Sequence, residues 1–171
     1  MANTNRLKKE VEPEIIKLFC EKYECNLLSF DPKSKIKEIF LGMDHDLVAY
    51  DKNKKILYIG EITASGYDGH RGNFHIGAVR KFAEIFTKFY LCKIEKDEII
   101  RRIEMLKPEY AFQSMSCHLI VPKGSKFIKA LGYRKKLLET GIMSLDEISL
   151  SDNVDKIMHE VLDSARSEMK K

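Results

Sequence analysis

One short stretch constrains this chain more than any other. Asp46-Leu-Val-Ala-Tyr-Asp51 and Ile56-Leu-Tyr-Ile-Gly-Glu-Ile-Thr63 flank the polar turn Lys52-Asn-Lys-Lys55. Two apolar runs about a short polar turn predict a β-hairpin. The second run is apolar except for Glu61 and Thr63, which alternation places on one face. A carboxylate in such a strand is costly unless it is paired, solvated at a strand end or bound to a metal. Asp46, opening the neighbouring strand, brings a second acid towards Glu61. Two carboxylates from adjacent strands make a hard, oxygen-rich site of the kind Mg²⁺ prefers, with positions left for water and phosphate oxygens. The backbone carbonyl of Ile62 is a candidate third ligand.

The rest of the chain must supply the layers that cover this hairpin. Arg6 to Glu24 predicts a helix with Val11, Ile15, Leu18 and Phe19 at helical spacing. Leu27 to Phe30 and Ile36 to Leu41 are short apolar pieces around the Asp31-Pro32 turn signal. After the hairpin comes a glycine-rich loop, Ala64 to Gly72, matching no nucleotide-binding fingerprint. Phe74 to Tyr90 predicts a helix with Ala78, Phe82, Ile85, Phe86 and Phe89 on one face, and Ile94 to Leu106 a second. Ser116 to Val121 reads as a strand. A helix follows from Ser125 to about Leu138, interrupted near Gly132; then come a strand over Ile142 to Leu150 and a helix capped by Asp152. Hairpin strands early and helix-linked strands later imply one α/β domain over residues 1–171, a mixed sheet with helices on both faces.

The string DLVAYDKNKKILYIGEIT resembles the core hairpin of the PD-(D/E)XK nuclease superfamily, the restriction-endonuclease-like fold. The element order fits that family's αβββαβαβ core, with a C-terminal helix added, from about Val11 to Leu150. The resemblance implies that Asp46 and Glu61 hold Mg²⁺, or Mn²⁺, and that the protein hydrolyses phosphodiester bonds in DNA. Thr63 stands where the family usually has a lysine that positions water and stabilises charge on the phosphate. Threonine can hydrogen-bond but supplies no cation. The family is known for moving this lysine onto the following helix, where Lys81 flanks the apolar stripe beside Ala78 and Ile85 and Arg80 falls on the solvent side. Lys81 is the expected substitute. Glu14 and Glu21 of the first helix are candidates for an added metal contact, as first-helix acids are in some members.

Other polar residues weigh differently. Asp44 competes with Asp46 for the role of first acid. His45 reads as a loop residue, and His75 as a core histidine. Arg71, just after the acid-bearing strand, is a candidate phosphate contact. Cys117 and His118 point to opposite faces of a strand, so they make no joint metal site.

Charge enters only through its placement. The chain has 171 residues, 44% hydrophobic and 33% charged, with a net charge of +4. That excess permits a polyanionic partner without requiring one. Lys123 to Lys136, however, holds six basic residues and no acidic one. On a continuous helix Lys126, Lys129 and Lys136 share a side, and with Lys123 they are candidate phosphate contacts. Lys52, Lys54 and Lys55 form a second patch. Such contacts position a nucleic acid without reading its sequence. The four cysteines form no C-x-x-C pair, and no apolar run approaches a membrane span or a signal core. The expectation is a cytoplasmic Mg²⁺-dependent DNA endonuclease, acting alone, as a homodimer or with a partner nuclease subunit. The alternative is the same fold with an impaired site, binding nucleic acid or a partner enzyme. An assembly role for the final helix, Val154 to Ala165, is a third reading; core packing is the plainer account of its stripe.

Overall fold

The computed structural model describes residues 5–30, 36–64 and 76–169. The Asp31-Pro32 turn, most of the glycine-rich loop, and Arg71, Phe74 and His75 lie outside these.

A π-helical turn over Leu7–Val11 leads into α1 (Glu12–Tyr23). The two-residue β1 (Asn26–Leu27) and the single turn α2 (Ile36–Ile39) follow. The hairpin is β2 (Leu47–Asp51) and β3 (Ile56–Ile62). Two helices, α3 (Ile76–Ile94) and α4 (Lys96–Leu106), precede β4 (Ser114–Pro122). A short α5 (Phe127–Ala130), β5 (Ser144–Ile148) and α6 (Asp152–Met169) complete the chain.

The five strands form one sheet in the order β1-β2-β3-β4-β5. β1, β2 and β3 are antiparallel neighbours; β3, β4 and β5 run parallel. The protein is therefore α/β, with a mixed sheet flanked by helices. Alternation divides the sheet residues between two cores. Leu57, Ile59, Leu119 and Val121 face α3 and α4, where Phe82, Ile85, Phe89, Ile99 and Ile103 are buried. Leu47, Ala49, Tyr58, Ile62 and Ile120 face the other way, against Val11, Ile15 and Phe19 of the N-terminal helix and Met158 of α6. The apolar stripe of α6 is thus spent on the core. No helix among the described residues is long and apolar enough to cross a membrane.

Gly60 lets the hairpin close against β4. A Cβ there would lie 3.0 Å from Ile120 Cδ1 and 3.1 Å from Leu47 Cβ.

In the basic segment the expected interruption near Gly132 is a full break, and it alters the phasing of the lysines. The predicted helix from Ser125 to Leu138 is broken after α5, and Gly132 to Thr140 continues as a 3₁₀ helix. Gly132 has φ +59, a left-handed backbone angle that an α-helix cannot carry through. The phasing that put Lys126, Lys129 and Lys136 on one side therefore does not hold. Nor does Asp152 cap α6. It is the first helical residue, and Ser151 stands before it.

Candidate functional site

The site is built where β2 begins and β3 ends. Antiparallel register pairs Leu47 with Gly60, so the residues just outside that pair, Asp46 and Glu61, fall opposite each other at one end of the sheet. Asp46 is exposed. Its Oδ2 accepts a hydrogen bond from the Ile62 backbone N–H at 2.8 Å. The first acid is thereby fastened to the residue that follows the second.

Glu61 is 1% exposed. Its Oε1 accepts from His45 Nδ1 at 2.9 Å and from Lys88 Nζ at 3.0 Å. Lys81 Nζ lies 3.8 Å from its Oε2. Burial pushes the Glu61 carboxyl up, but the bonds from His45 and Lys88 outweigh it, and the group sits below the ordinary carboxylate value. It is an ionised carboxylate under a helix, and α3 answers its charge. Lys81 and Lys88, seven positions apart, are on one face of α3, two turns from each other.

His45 precedes β2 in irregular chain, as expected, but its side chain is fully buried. Its ring packs edge-on to Phe40 and parallel to Phe89, and Nε2 lies 3.7 Å from Cys92 Sγ. Burial pulls its proton affinity down, while Cys92 and Glu61 raise it by more, leaving it above the ordinary imidazole value. Lys88 also donates to the Asp44 carbonyl at 2.8 Å, tying α3 to the chain entering β2. The Asp44 carboxylate, the competing acid, is exposed and pairs with Lys37 at 2.8 Å.

The first-helix acid at this end of the sheet is Glu12, not Glu14 or Glu21. Burial raises the Glu12 carboxyl and the negative charge of Asp46 raises it further, while Lys8 and Lys81 pull it down. Glu14 instead accepts from the Ser151 N–H and hydroxyl, at 2.7 and 3.0 Å, holding the start of α6. Glu21 is exposed and lies 3.8 Å from Lys17. Thr63, directly beyond β3, is 4% exposed, and its N–H donates to the Ile120 carbonyl. Arg71 and the glycine-rich loop beyond Ala64 lie outside the described residues.

The two basic patches lie at opposite ends of the sheet. β4 runs parallel to β3 with Ile62 opposite Ile120, so Lys123 and Lys126, past the end of β4, emerge at the end that carries Asp46 and Glu61. Lys123, Lys126, Lys129 and Lys136 are all exposed. Lys52, Lys54 and Lys55 sit at the hairpin turn, about 17 Å away along β2 at ~3.4 Å per residue. Proximity in sequence to Asp46 is misleading there. Asp51 also uses that turn for itself, accepting from the Asn53 and Lys54 N–H groups and pairing with Lys54 Nζ at 3.1 Å.

A second buried polar cluster sits on the other face. Asp146 of β5 accepts from His118 Nδ1 at 2.6 Å, Lys22 Nζ at 2.6 Å and the Tyr23 hydroxyl at 2.8 Å. His118 Nε2 lies 2.8 Å from Ser116 Oγ. Burial works against the Asp146 charge, yet His118, Lys22 and Tyr23 bring its carboxyl down to about 2. This cluster ties the C-terminus of α1 to β4 and β5. Cys117, next to His118, faces the opposite core.

From the sequence His45 reads as a loop residue and Lys88 goes unremarked, though Lys88 left a signal. It repeats Lys81 after seven residues on a helix whose apolar face was legible. Among the described residues, no three His, Cys, Asp or Glu side chains are gathered as a ready metal cage. Mg²⁺ does not require one, since it binds through one or two carboxylates and keeps its waters and phosphate oxygens. Asp46 and Glu61 fit that donor set. In comparisons with known proteins, the chain matches no family model, no curated protein and no solved structure.

Proposed function

We propose that this protein is a Mg²⁺-dependent nuclease of the restriction-endonuclease-like type that hydrolyses phosphodiester bonds in DNA. The observation that carries the reading is Lys81: a helix lysine stands 3.8 Å from Glu61 in a chain whose strand offers Thr63 where a lysine is usual. Asp46 and Glu61 would hold the metal, with the Ile62 carbonyl beside them; Mn²⁺ suits the same donors. The ion supplies Lewis acidity towards a phosphate oxygen and a more acidic bound water. Lys81, a third exposed, supplies a positive charge at the mouth of the site for the phosphate or its attacking water. His45 and Lys88 hold Glu61 from behind. Lys123 and Lys126, at the same end of the sheet, would carry backbone phosphates.

The test is cleavage of plasmid and single-stranded DNA with and without Mg²⁺, comparing the natural chain with Asp46→Ala, Glu61→Ala and Lys81→Ala. Metal-dependent cleavage lost in all three is expected. Cleavage surviving removal of both acids would overturn the site. Cleavage lost at the acids but kept in Lys81→Ala would overturn only the role of the lysine.

One observation favours the alternative, a nuclease-fold module that binds nucleic acid or a partner enzyme without cutting. Lys88 and His45 already satisfy Oε1 of Glu61 and stabilise its charge. DNA binding retained with no cleavage of any nucleic acid would establish that reading.

A further inference from the structure

Away from the acidic site, α1 ends in a way that brings two thiols together. The helix closes with Glu24 in the left-handed region, φ 52. The Glu24 N–H returns to the Cys20 and Glu21 carbonyls, and the Cys25 N–H returns to the Cys20 carbonyl at 3.0 Å. In this kind of helix end, the residue just after the left-handed one commonly packs on the residue four before the left-handed one. Those residues are Cys25 and Cys20. Both side chains line one surface cleft, with Ile16 and Leu27 among its walls. Both are free thiols.

The two differ in access and in ionisation. Cys20 is partly exposed, whereas Cys25 is 6% exposed. A hydrogen bond from the Cys25 thiol favours the Cys20 thiolate and holds the Cys20 thiol below its ordinary value, against burial. The same bond, with burial, pushes the Cys25 thiol up. An accessible sulfur that ionises more readily, with a shielded thiol beside it in the same cleft, is the arrangement of an attacking and a resolving cysteine. Cys92 and Cys117 are fully enclosed in the α3 core and have no such access.

We propose that Cys20 and Cys25 form a reactive dithiol that small disulfides, such as oxidised glutathione, convert to an intramolecular disulfide across the end of α1. The Cys20 thiolate attacks one sulfur of glutathione disulfide, forming a Cys20–glutathione bond and expelling one glutathione thiolate. Cys25 then loses its proton to solvent and attacks the Cys20 sulfur, expelling the second glutathione. Two protein thiols are oxidised, and one small disulfide is reduced to two thiols.

The test is to incubate the full chain, folded, with oxidised glutathione, block remaining thiols with N-ethylmaleimide and map the tryptic peptides. Lys22 lies between the two cysteines, so the disulfide joins two separate peptides and is read directly. The expected result is a Cys20–Cys25 linkage with Cys92 and Cys117 alkylated only after unfolding, reversed by dithiothreitol. In Cys25→Ser the reaction should stop at a glutathione adduct on Cys20; in Cys20→Ser, Cys25 should stay free. A stable glutathione adduct on Cys20 of the natural chain, a Cys92–Cys117 linkage instead, or four unreacted thiols would each overturn the proposal. The map on the natural chain decides the matter even where a serine variant folds poorly.

Discussion

Glu61 shows how a residue that breaks its local pattern is kept. An ionised carboxylate in an apolar strand survives because His45 and Lys88 bond it and Lys81 stands by. The two lysines should therefore separate stability from activity. Lys88 is 17% exposed and bonded at 3.0 Å, so Lys88→Met should cost about 1–3 kcal/mol in urea unfolding by leaving Glu61 under-satisfied. Lys81→Ala should change stability by less than about 0.5 kcal/mol and still abolish cleavage. A Lys81→Ala/Thr63→Lys double variant should recover part of that cleavage, since it returns a cation to the strand; no recovery would argue against the exchange of roles. Glu61 and Lys81 were legible in the sequence because each follows from one element's periodicity. His45 was not, because what makes it a partner is its enclosure by Phe40 nearby and by Phe89 and Cys92 of the distant α3. Glu12 was missed for a related reason. The helix face of an acid is readable, but its distance to another strand's acid is not.

The hairpin packs closely around a residue with no side chain, Gly60. Gly60→Ala would press a methyl group against Leu47 Cβ and Ile120 Cδ1. The expected cost is about 1–3 kcal/mol. Because Leu47 adjoins Asp46, cleavage per folded molecule should fall as well; unchanged activity in folded Gly60→Ala would show that Asp46 tolerates the shift. The other elements are tied by charge. Asp146 links β5 to α1 and β4, and its carboxyl lies at about 2 instead of the ordinary 3.8. A depressed carboxyl stabilises the fold fully above the unfolded value, and that contribution is lost as pH falls from about 4 to about 2. The natural chain should lose about 2 kcal/mol across that window beyond what Asp146→Asn loses, measured by chemical unfolding at each pH. Element types were legible for the long periodic segments, such as α3 and α6. In the basic segment the break at Gly132 was legible, but its consequence was not: at φ +59 the glycine ends the phase that would set Lys136 beside Lys126 and Lys129.

Across the whole molecule, parallel pairing carries β3, β4 and β5 to a common end. Ligands of open α/β sheets gather at such carboxyl ends. Both acids and the Lys123–Lys126 side chains are there, while the Lys52–Lys55 turn is at the opposite end. Lys123→Glu/Lys126→Glu should therefore weaken DNA binding and lower the slope of log affinity against log salt by about two. Lys52→Glu/Lys55→Glu should leave both nearly unchanged. Equal effects from the two pairs, in fluorescence anisotropy titrations over a salt series, would remove the sheet end as the binding face. The net charge of +4 conceals this division, which only the strand directions reveal.

Local contacts form faster than distant ones, so the hairpin is expected to form before α3 docks. Asp46 and Glu61 belong to one local unit, and hairpins form in about 1–10 μs. The lysines that answer Glu61 arrive only when α3 docks on the sheet, a later and less local event. Until α3 docks, the two acids would have the neighbouring His45 but neither lysine to answer them. Counterions must fill the gap, so refolding of the natural chain should quicken with added salt, and that acceleration should shrink in Glu61→Gln.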